Sequence, residues 1–228
     1  MTNTKKPKIL LLSLKKEPWF DESFSGLLKA LAERADVVEV TSLAIPRLSP
    51  STYSAIFITD EALMERKYVK VLSQAIDYVR GGGIAVIGGL FTAFAKFPEF
   101  ESHFLTWGFP WKAASYTKSD SVLNEKTHPG FRSNGRLPAS YYMKYVSLQG
   151  VAPEDIMYKK KRYEPEEPDE PDSETEEPDK TDEDPSGLLE EATAAYARLG
   201  SGYLGYIGNV NPGEEYTSIV LAMCGLQL

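Results

Sequence analysis

The first half of the chain alternates short apolar runs with segments of helical periodicity. The run KILLLSL at 8–14 is almost continuously apolar, which is typical of a strand buried on both faces of a parallel sheet. Shorter apolar runs predict strands at 37–41 and 54–59, and apolar residues at helical spacing predict helices at 24–35 and 67–80. Strands and helices in this order indicate an α/β fold with right-handed crossover connections.

The second half contains segments typical of strands with little helical spacing between them. Segments 111–124, 141–151 and 192–207 are predicted to be strands separated by Gly, Pro and Asn, and therefore hairpins or an antiparallel extension. A last helix is predicted to open at 211–212, with proline at its first position. We therefore expect a flavodoxin-like three-layer α/β sandwich with a mostly parallel central sheet and an antiparallel extension in the C-terminal half. Residues 1–228 are expected to form one domain.

One segment has no apolar periodicity and an extreme charge. Residues 164–184 hold thirteen Asp and Glu residues against one Lys, with repeated prolines. Such a segment cannot offset its ordering entropy by apolar burial, so we predict a disordered acidic insertion within the domain. The net charge of −8 leaves a balance of +4 on the rest of the chain. A basic protein is a candidate partner of this insertion. Nucleic acid is not an expected partner, because the dense basic run at 159–162 adjoins the acidic insertion and lacks interleaved aromatic residues.

The segment AIDYVRGGGIAVIGGLF at 75–91 is the most informative for function. It begins as a helix end, continues through three glycines that shape a tight turn and an apolar strand, and reaches Gly88-Gly89. In α/β enzymes the sharp turn after such a strand presents the nucleophile at the mouth of the sheet. Leu90 and Phe91 follow the glycines, so no Ser, Cys or Asp stands at that turn.

Four motifs give the chain a resemblance to a known superfamily: DYVRGGGIAVIGG at 77–89, GFPW at 108–111, THPGF at 127–131 and GSGYLGYIGNVNPGEEYTSIVLAMCGL at 200–226. Apart from the acidic insertion, the chain resembles the class I glutamine amidotransferase-like superfamily, and within it the trehalose-utilisation (ThuA-like) group and related fungal proteins. In amidotransferases of this superfamily a Cys follows the fourth strand and acts with a His and a Glu late in the chain.

The chain departs from that pattern at both places. Gly88, Gly89 and Leu90 cover the turn without a Cys, and the late region reads Gly-Asn-Val-Asn at 208–211 without a His. The ThuA-like pattern tends to place a His soon after the glycine-rich strand, where this chain has Leu90 and Phe91. The resemblance therefore implies the fold of the superfamily without its glutaminase chemistry.

Polar residues are expected to gather where the parallel strands end, which is where open α/β sheets bind ligands. Asp60 and Glu61 follow the third strand and could orient a sugar hydroxyl, although Asp60 could instead cap the helix that follows. Glu17, with Lys15 and Lys16 beside it, belongs to the same rim. The predicted ligand-binding residues at this rim are Gly88, Gly89, Leu90, Phe91, Asp60, Glu61 and Asn209.

Three further residues could carry chemistry. His128 lies in a turn and could act as an acid, a base or a ligand, or could serve the turn alone. His103 is expected to be a surface or packing residue within a helix-like segment. Cys224 excludes an intrachain disulfide and is expected to be a small buried hydrophobe on the last helix.

Three functions are compatible with these residues. The first is a catalytically inactive amidotransferase-like domain that binds a small polar, sugar-like ligand or a protein at the rim. The second is a ThuA-like carbohydrate enzyme that uses His128 with Asp60 and Glu61 for proton transfer. The third is an interaction module that acts through residues 164–184. No cofactor, metal or membrane partner is expected, the oligomeric state is open, and the single Cys with no signal-peptide pattern favours a cytoplasmic or nuclear location.

Overall fold

A single sheet contains a parallel set of strands from the first half of the chain and an antiparallel set from the second. The computed structural model describes residues 6–124, 137–161 and 190–228. Within these residues the strands are β1 (Lys8–Leu12), β2 (Asp36–Val40), β3 (Ala55–Ile58), β4 (Ile84–Ile87), β5 (Lys112–Leu123), β6 (Ser140–Gln149), β7 (Ile156–Lys160), β8 (Ala192–Leu199) and β9 (Gly202–Ile207). Their order in the sheet is β2-β1-β3-β4-β9-β8-β6-β5-β7.

The parallel set comprises β2, β1, β3, β4 and β9. All four residues of β3 are buried, as are four of the five residues of β1. Strands that lie inside a sheet covered on both faces need apolar side chains on both sides, which is why their sequences are apolar almost without interruption. The predicted strands at 8–14, 37–41 and 54–59 correspond to β1, β2 and β3; β1 and β3 are shorter than predicted, and β2 begins and ends one residue earlier.

The antiparallel set closes on itself. Strand β8 pairs with β6 on one side and with β7 on the other, and β5 joins β6 to β7, so these four strands form a small closed barrel. Strand β9 is antiparallel to β8 and parallel to β4, and so connects the barrel to the parallel set.

The expected flavodoxin-like sandwich with a mostly parallel sheet is therefore wrong. Among the described strands, antiparallel pairings outnumber parallel ones, and the expected extension is a closed barrel within the same nine-stranded sheet. The physical reason is β7, a five-residue strand that the sequence pattern did not predict and that bridges β5 and β8. Segment 192–207 also contains two strands, since the chain reverses between Leu199 and Gly202.

Helices cover both faces of the parallel set. They are α1 (Phe20–Ser23), α2 (Ser25–Arg34), α3 (Val69–Arg80), α4 (Phe91–Phe94), α5 (Phe97–Trp107) and α6 (Glu214–Met223). Buried residues of α3 and α5 belong to one core cluster, and those of α1, α2 and α6 belong to a second. The carboxyl ends of β1, β3 and β4 meet at one edge of the sheet, and we call the segments that follow them the rim.

Candidate functional site

The turn after β4 occupies the place where α/β enzymes present their nucleophile. Gly89 has a φ of 63°, in the left-handed region that favours glycine. A Cβ on Gly89 would lie 2.6 Å from the carbonyl oxygen of Thr59 and 3.0 Å from its Cα. A Cβ on Gly88 would lie 2.6 Å from Ile207 Cγ2 and 2.8 Å from the Tyr216 hydroxyl oxygen. The backbone and side chains around this turn therefore leave no room for any side chain at 88 or 89.

The amide groups of the same turn all donate hydrogen bonds inside the protein. The Gly88 N–H donates to Ile58 O at 3.0 Å, and the Leu90 N–H donates to Thr59 O at 2.6 Å. The Gly89 N–H donates to the hydroxyl oxygen of Tyr216 on α6, at 2.5 Å. Such amides can stabilise a developing oxyanion only when they point at the substrate. Here they connect β4 to β3 and to α6.

The side chains that follow the turn face the protein interior. Phe91 is buried, and its ring centroid lies 5.5 Å from that of Phe100 and 5.7 Å from that of His103. Leu90 is buried in the core cluster on the opposite face of the sheet. Asn209 is fully buried, where its Oδ1 accepts a hydrogen bond from Tyr141 and its carbonyl oxygen accepts one from Thr92. The structure thus brings Leu90, Phe91 and Asn209 near the turn, with their side chains in the core.

Asp60 caps the short 3₁₀ turn at Glu61–Met64. Its Oδ1 accepts a hydrogen bond from the Ala62 N–H at 3.1 Å, and its Oδ2 accepts one from the Lys15 N–H at 2.8 Å. Burial raises the pKa of this carboxyl from 3.8 to about 6, and the two backbone hydrogen bonds oppose that rise. Of the two roles that the sequence left open for Asp60, these contacts correspond to the cap.

The two lysines at the rim are paired with carboxylates. Lys15 forms ion pairs with Glu61 and, at 2.8 Å, with Glu65. The hydrogen bond that Lys15 donates to the Glu61 carboxylate raises the pKa of Lys15 more than any other contact. Lys16 pairs with Asp21 at 2.7 Å and with Glu39 at 2.8 Å. Each of these charges therefore already has a partner within the protein.

The buried carboxyl of Asp60 gives a testable pH dependence. A pKa that is higher in the folded chain stabilises the fold fully below pH 3.8, and that contribution is lost as the pH rises through about 6. In Asp60→Asn this titration is removed. We expect the free energy of unfolding of the wild type, relative to Asp60→Asn, to fall by about 1 kcal/mol between pH 5 and pH 7. Urea unfolding of both proteins at both pH values measures it, and a constant difference would mean that Asp60 titrates at its ordinary pKa.

His103 and Cys224 are the two other candidate residues that the structure describes, and both are packed in the protein interior. His103 lies in α5, accepts a hydrogen bond at Nε2 from Trp107 Nε1 at 3.2 Å, and lines a cavity of about 210 Å³. Burial lowers its pKa to about 4, so it is neutral near pH 7. Cys224 is buried in a core cluster, and burial raises the pKa of its thiol to about 12. Such a thiol is inert as a nucleophile. His128 and segment 164–184 lie outside the described residues.

Sequence reasoning missed two groups of residues at this site. The first is Tyr216, which the helical spacing of α6 marked only as a buried residue, although its hydroxyl oxygen accepts the Gly89 N–H. The second is the exposed aromatic pair Trp19 and Phe94, whose ring centroids lie 6.5 Å apart. Trp19 and Phe94 follow the carboxyl ends of parallel strands in the sequence, and that position could have identified them as rim residues.

Neither a metal centre nor a membrane span can be assembled from the part of the chain that the structure describes. Within residues 6–124, 137–161 and 190–228, no three His, Cys, Asp or Glu side chains lie together as possible metal ligands. The helices in the same ranges are all too short or too polar to cross a bilayer.

The fold is similar to those of several solved structures, although no protein-family model and no curated protein sequence matches the chain. Cytoplasmic protein STM1381 from Salmonella typhimurium LT2 matches with a TM-score of 0.59 and 14% identity, over 96% of this chain and 98% of that chain. A protein described as ThuA-like from Bacteroides uniformis ATCC 8492 has a TM-score of 0.55 and 12% identity, over 98% and 91% of the two chains. The mmIFT52 N-terminal domain has a TM-score of 0.56 and 13% identity, over 94% and 93%.

At these identities the comparisons show the fold alone. The structural neighbours include ThuA-like proteins, which have the class I glutamine amidotransferase-like fold. The resemblance stated from the sequence is confirmed at that level.

Proposed function

We propose that this chain is a catalytically inactive ThuA-like domain of the amidotransferase-like kind, which acts by binding a protein partner at the rim. The observation that carries the proposal is the turn after β4. It has no reactive side chain, no space for one at Gly88 or Gly89, and amides that donate to Ile58, Tyr216 and Thr59. Chemistry at this position would need at least one of these features to be different.

The exposed surface beside that turn supports a protein partner over a small polar ligand. A ligand site needs a few convergent polar groups, whereas Lys15, Glu61 and Asp60 are engaged with each other and with the backbone. Trp19 and Phe94 are 44% and 45% exposed and form a ring pair, and Phe97 is exposed three residues after Phe94. Aromatic side chains are enriched at the centres of protein interfaces, where they contribute much of the binding energy.

A photo-crosslinking amino acid at position 94 tests this proposal. In cells that express the full chain, we expect a discrete covalent adduct from position 94 that disappears when Trp19→Ser is added. The matched control is the same amino acid at Leu105, which is also exposed but lies in the last turn of α5, and it should give no adduct. Adducts independent of Trp19 would contradict the proposal.

Measurements on the purified chain distinguish the proposed function from catalysis and from the binding of a small ligand. Release of ammonia from glutamine, or hydrolysis of a glycoside that depends on Asp60 or His128, would replace the proposal with the enzyme hypothesis. A rise in melting temperature with one sugar or amino acid, lost in Glu61→Gln, would favour the ligand-binding hypothesis. We expect neither result.

A further inference from the structure

One side of α5 carries polar residues that border a cavity. Glu99, Ser102, His103 and Thr106 are spaced so that a helix places them on the same side. All four line a cavity of about 210 Å³. The rest of its lining comes from the 3₁₀ turn after β3 and from α3, and consists of Leu63, Met64 and Leu72. A volume of this size equals the share of about seven water molecules in the liquid, so it suits a single small ring.

His103 is the buried polar residue of this cavity, with 5% of its surface exposed. Aromatic neighbours hold its ring in place. The ring centroid lies 5.4 Å from that of Phe104 and 5.7 Å from that of Phe91. The Nε2 atom accepts a hydrogen bond from Trp107 Nε1 at 3.2 Å. These contacts fix the orientation of the imidazole.

The same contacts decide which nitrogen of His103 carries the proton. Burial lowers its pKa to about 4, so the imidazole is neutral near pH 7, with one N–H and one lone pair. Because the lone pair of Nε2 accepts the Trp107 N–H, the proton lies on Nδ1. No group among the described residues accepts a hydrogen bond from Nδ1. A protonated Nδ1 cannot bind a metal ion, and a buried donor without an acceptor is unfavourable, so this atom calls for a ligand that accepts a hydrogen bond.

The exposed residues of the cavity supply acceptors. Ser102 Oγ donates to the Glu99 carbonyl oxygen at 3.0 Å, and Thr106 Oγ1 donates to the Ser102 carbonyl oxygen at 2.9 Å. Since the protons of both hydroxyl groups are used, their oxygens can only accept further hydrogen bonds. The Glu99 carboxylate is also an acceptor, with Oε1 3.4 Å from the exposed Lys96 Nζ. Residues three and four apart on a helix have Cβ atoms about 5–6 Å apart, so one small ring can contact His103 and an acceptor together.

Apolar side chains form the rest of the lining. Leu63 and Leu72 are buried, and Met64 is half-buried. Aliphatic side chains pack well on a flat ring, and a thioether sulfur makes favourable contacts with aromatic rings. The cavity therefore combines one buried donor, an apolar lining and several acceptors on its exposed side.

We propose that the His103 cavity binds a small aromatic nitrogen heterocycle that carries an exocyclic amino group. A ring nitrogen or carbonyl oxygen of the ligand accepts the Nδ1–H of His103. Its amino group donates to the oxygens of Ser102, Thr106 or Glu99, and its ring packs on the apolar lining. The proposal does not depend on the proposed function, because it uses neither the turn after β4 nor the exposed aromatic pair at the rim.

Histidine NMR on the full wild-type chain tests the proposal. The chain has two histidines, so the signals of isotope-labelled imidazoles can be assigned with a His128→Gln variant. We expect Nδ1 to be the protonated nitrogen of His103. The probe is 2-aminopyrimidine, which is neutral near pH 7 and has both a ring acceptor and an amino group. It should shift the His103 signals saturably, with a dissociation constant on the order of millimolar for so small a molecule.

Two further probes separate the contacts. Aniline has the amino group without a ring nitrogen, and 2-methylpyrimidine has the ring nitrogens without the amino group. Since each lacks one of the expected hydrogen bonds, each should bind about fivefold more weakly than 2-aminopyrimidine or worse. These measurements use the wild-type chain, so they hold even where a variant fails to fold.

A pair of variants locates the donor, and calorimetric titration measures their affinity for 2-aminopyrimidine. His103→Gln keeps an oxygen that can accept the Trp107 N–H and loses the donor at Nδ1, so binding should weaken about fivefold or more. His103→Asn keeps an N–H near the place of Nδ1 and should bind more tightly than His103→Gln. Glu61→Gln should bind as the wild type does, which separates this cavity from the rim. Circular dichroism checks the fold of each variant.

Four results would overturn the proposal. These are a His103 that is protonated at Nε2, the absence of a saturable shift with 2-aminopyrimidine, equal affinity for the three probes, and undiminished binding to a folded His103→Gln variant. The second result would assign the cavity to water molecules alone.

Discussion

Replacing Gly89 with alanine is expected to lower the free energy of unfolding by about 3 kcal/mol or more. An alanine at a φ of 63° costs about 1 kcal/mol in backbone strain. The added Cβ would also lie 2.6 Å from the Thr59 carbonyl oxygen, a backbone atom held by the β3 and β4 pairing, and overpacking of this kind costs about 1–3 kcal/mol. Urea unfolding of the two proteins gives the difference.

Gly108→Ala is the matched control for this change. Gly108 has a φ of 99°, and among the described residues no heavy atom lies within 4 Å of the position of its Cβ. Its substitution therefore carries the backbone strain without the collision, and we expect a loss of about 1 kcal/mol. Equal losses in the two variants would show that the turn after β4 has space for a side chain. A nucleophile could then stand at this turn, and Gly89→Cys would become a reasonable test of restored thiol reactivity.

Much of the parallel half could be predicted from the sequence, because its elements are determined by local patterns. The uninterrupted apolar runs of β1 and β3 identify strands covered on both faces, and the helical spacing of α3 ends at Gly81 as predicted. The closure of the barrel could not be predicted in this way. It depends on β7 pairing with both β5 and β8, and the period of a strand indicates which residues share a face without indicating which strand is its neighbour.

The candidate site could also be predicted only in part from the sequence. The absence of a nucleophile at Gly88-Gly89 follows from residue identity, and the position of Asp60 follows from the end of β3. The contact between Tyr216 and Gly89 joins residues 127 positions apart, and Asn209 turns its amide toward Tyr141 in the barrel. Such long-range contacts depend on how α6 and the barrel pack on the sheet. Whether the rim residues named from the sequence bind a ligand stays a prediction.

Replacing Phe91 with alanine is expected to cost about 3–5 kcal/mol of stability, while Phe94→Ala, one turn away in α4, should cost less than about 1 kcal/mol. The Phe91 ring packs edge to face against Phe100 and lies 6.4 Å from Tyr206 of β9, centroid to centroid. Its removal would leave a cavity between α5 and the sheet. Phe94 is 45% exposed, so its removal mainly changes the surface.

The same pair of variants links stability to the proposed function. Phe91→Ala should lower the urea midpoint. If the alanine variant does not accumulate as folded protein, the milder Phe91→Leu takes its place and should lower the midpoint less. Phe94→Ala should keep a midpoint close to that of the wild type, and it should no longer co-purify with the partner identified by crosslinking at position 94, since that partner would contact the exposed ring. Equal stability of the Phe91→Ala and Phe94→Ala variants would mean that Phe91 is not part of the core. The turn after β4 would then open toward solvent, and a ligand-binding mouth would become the better account of the rim.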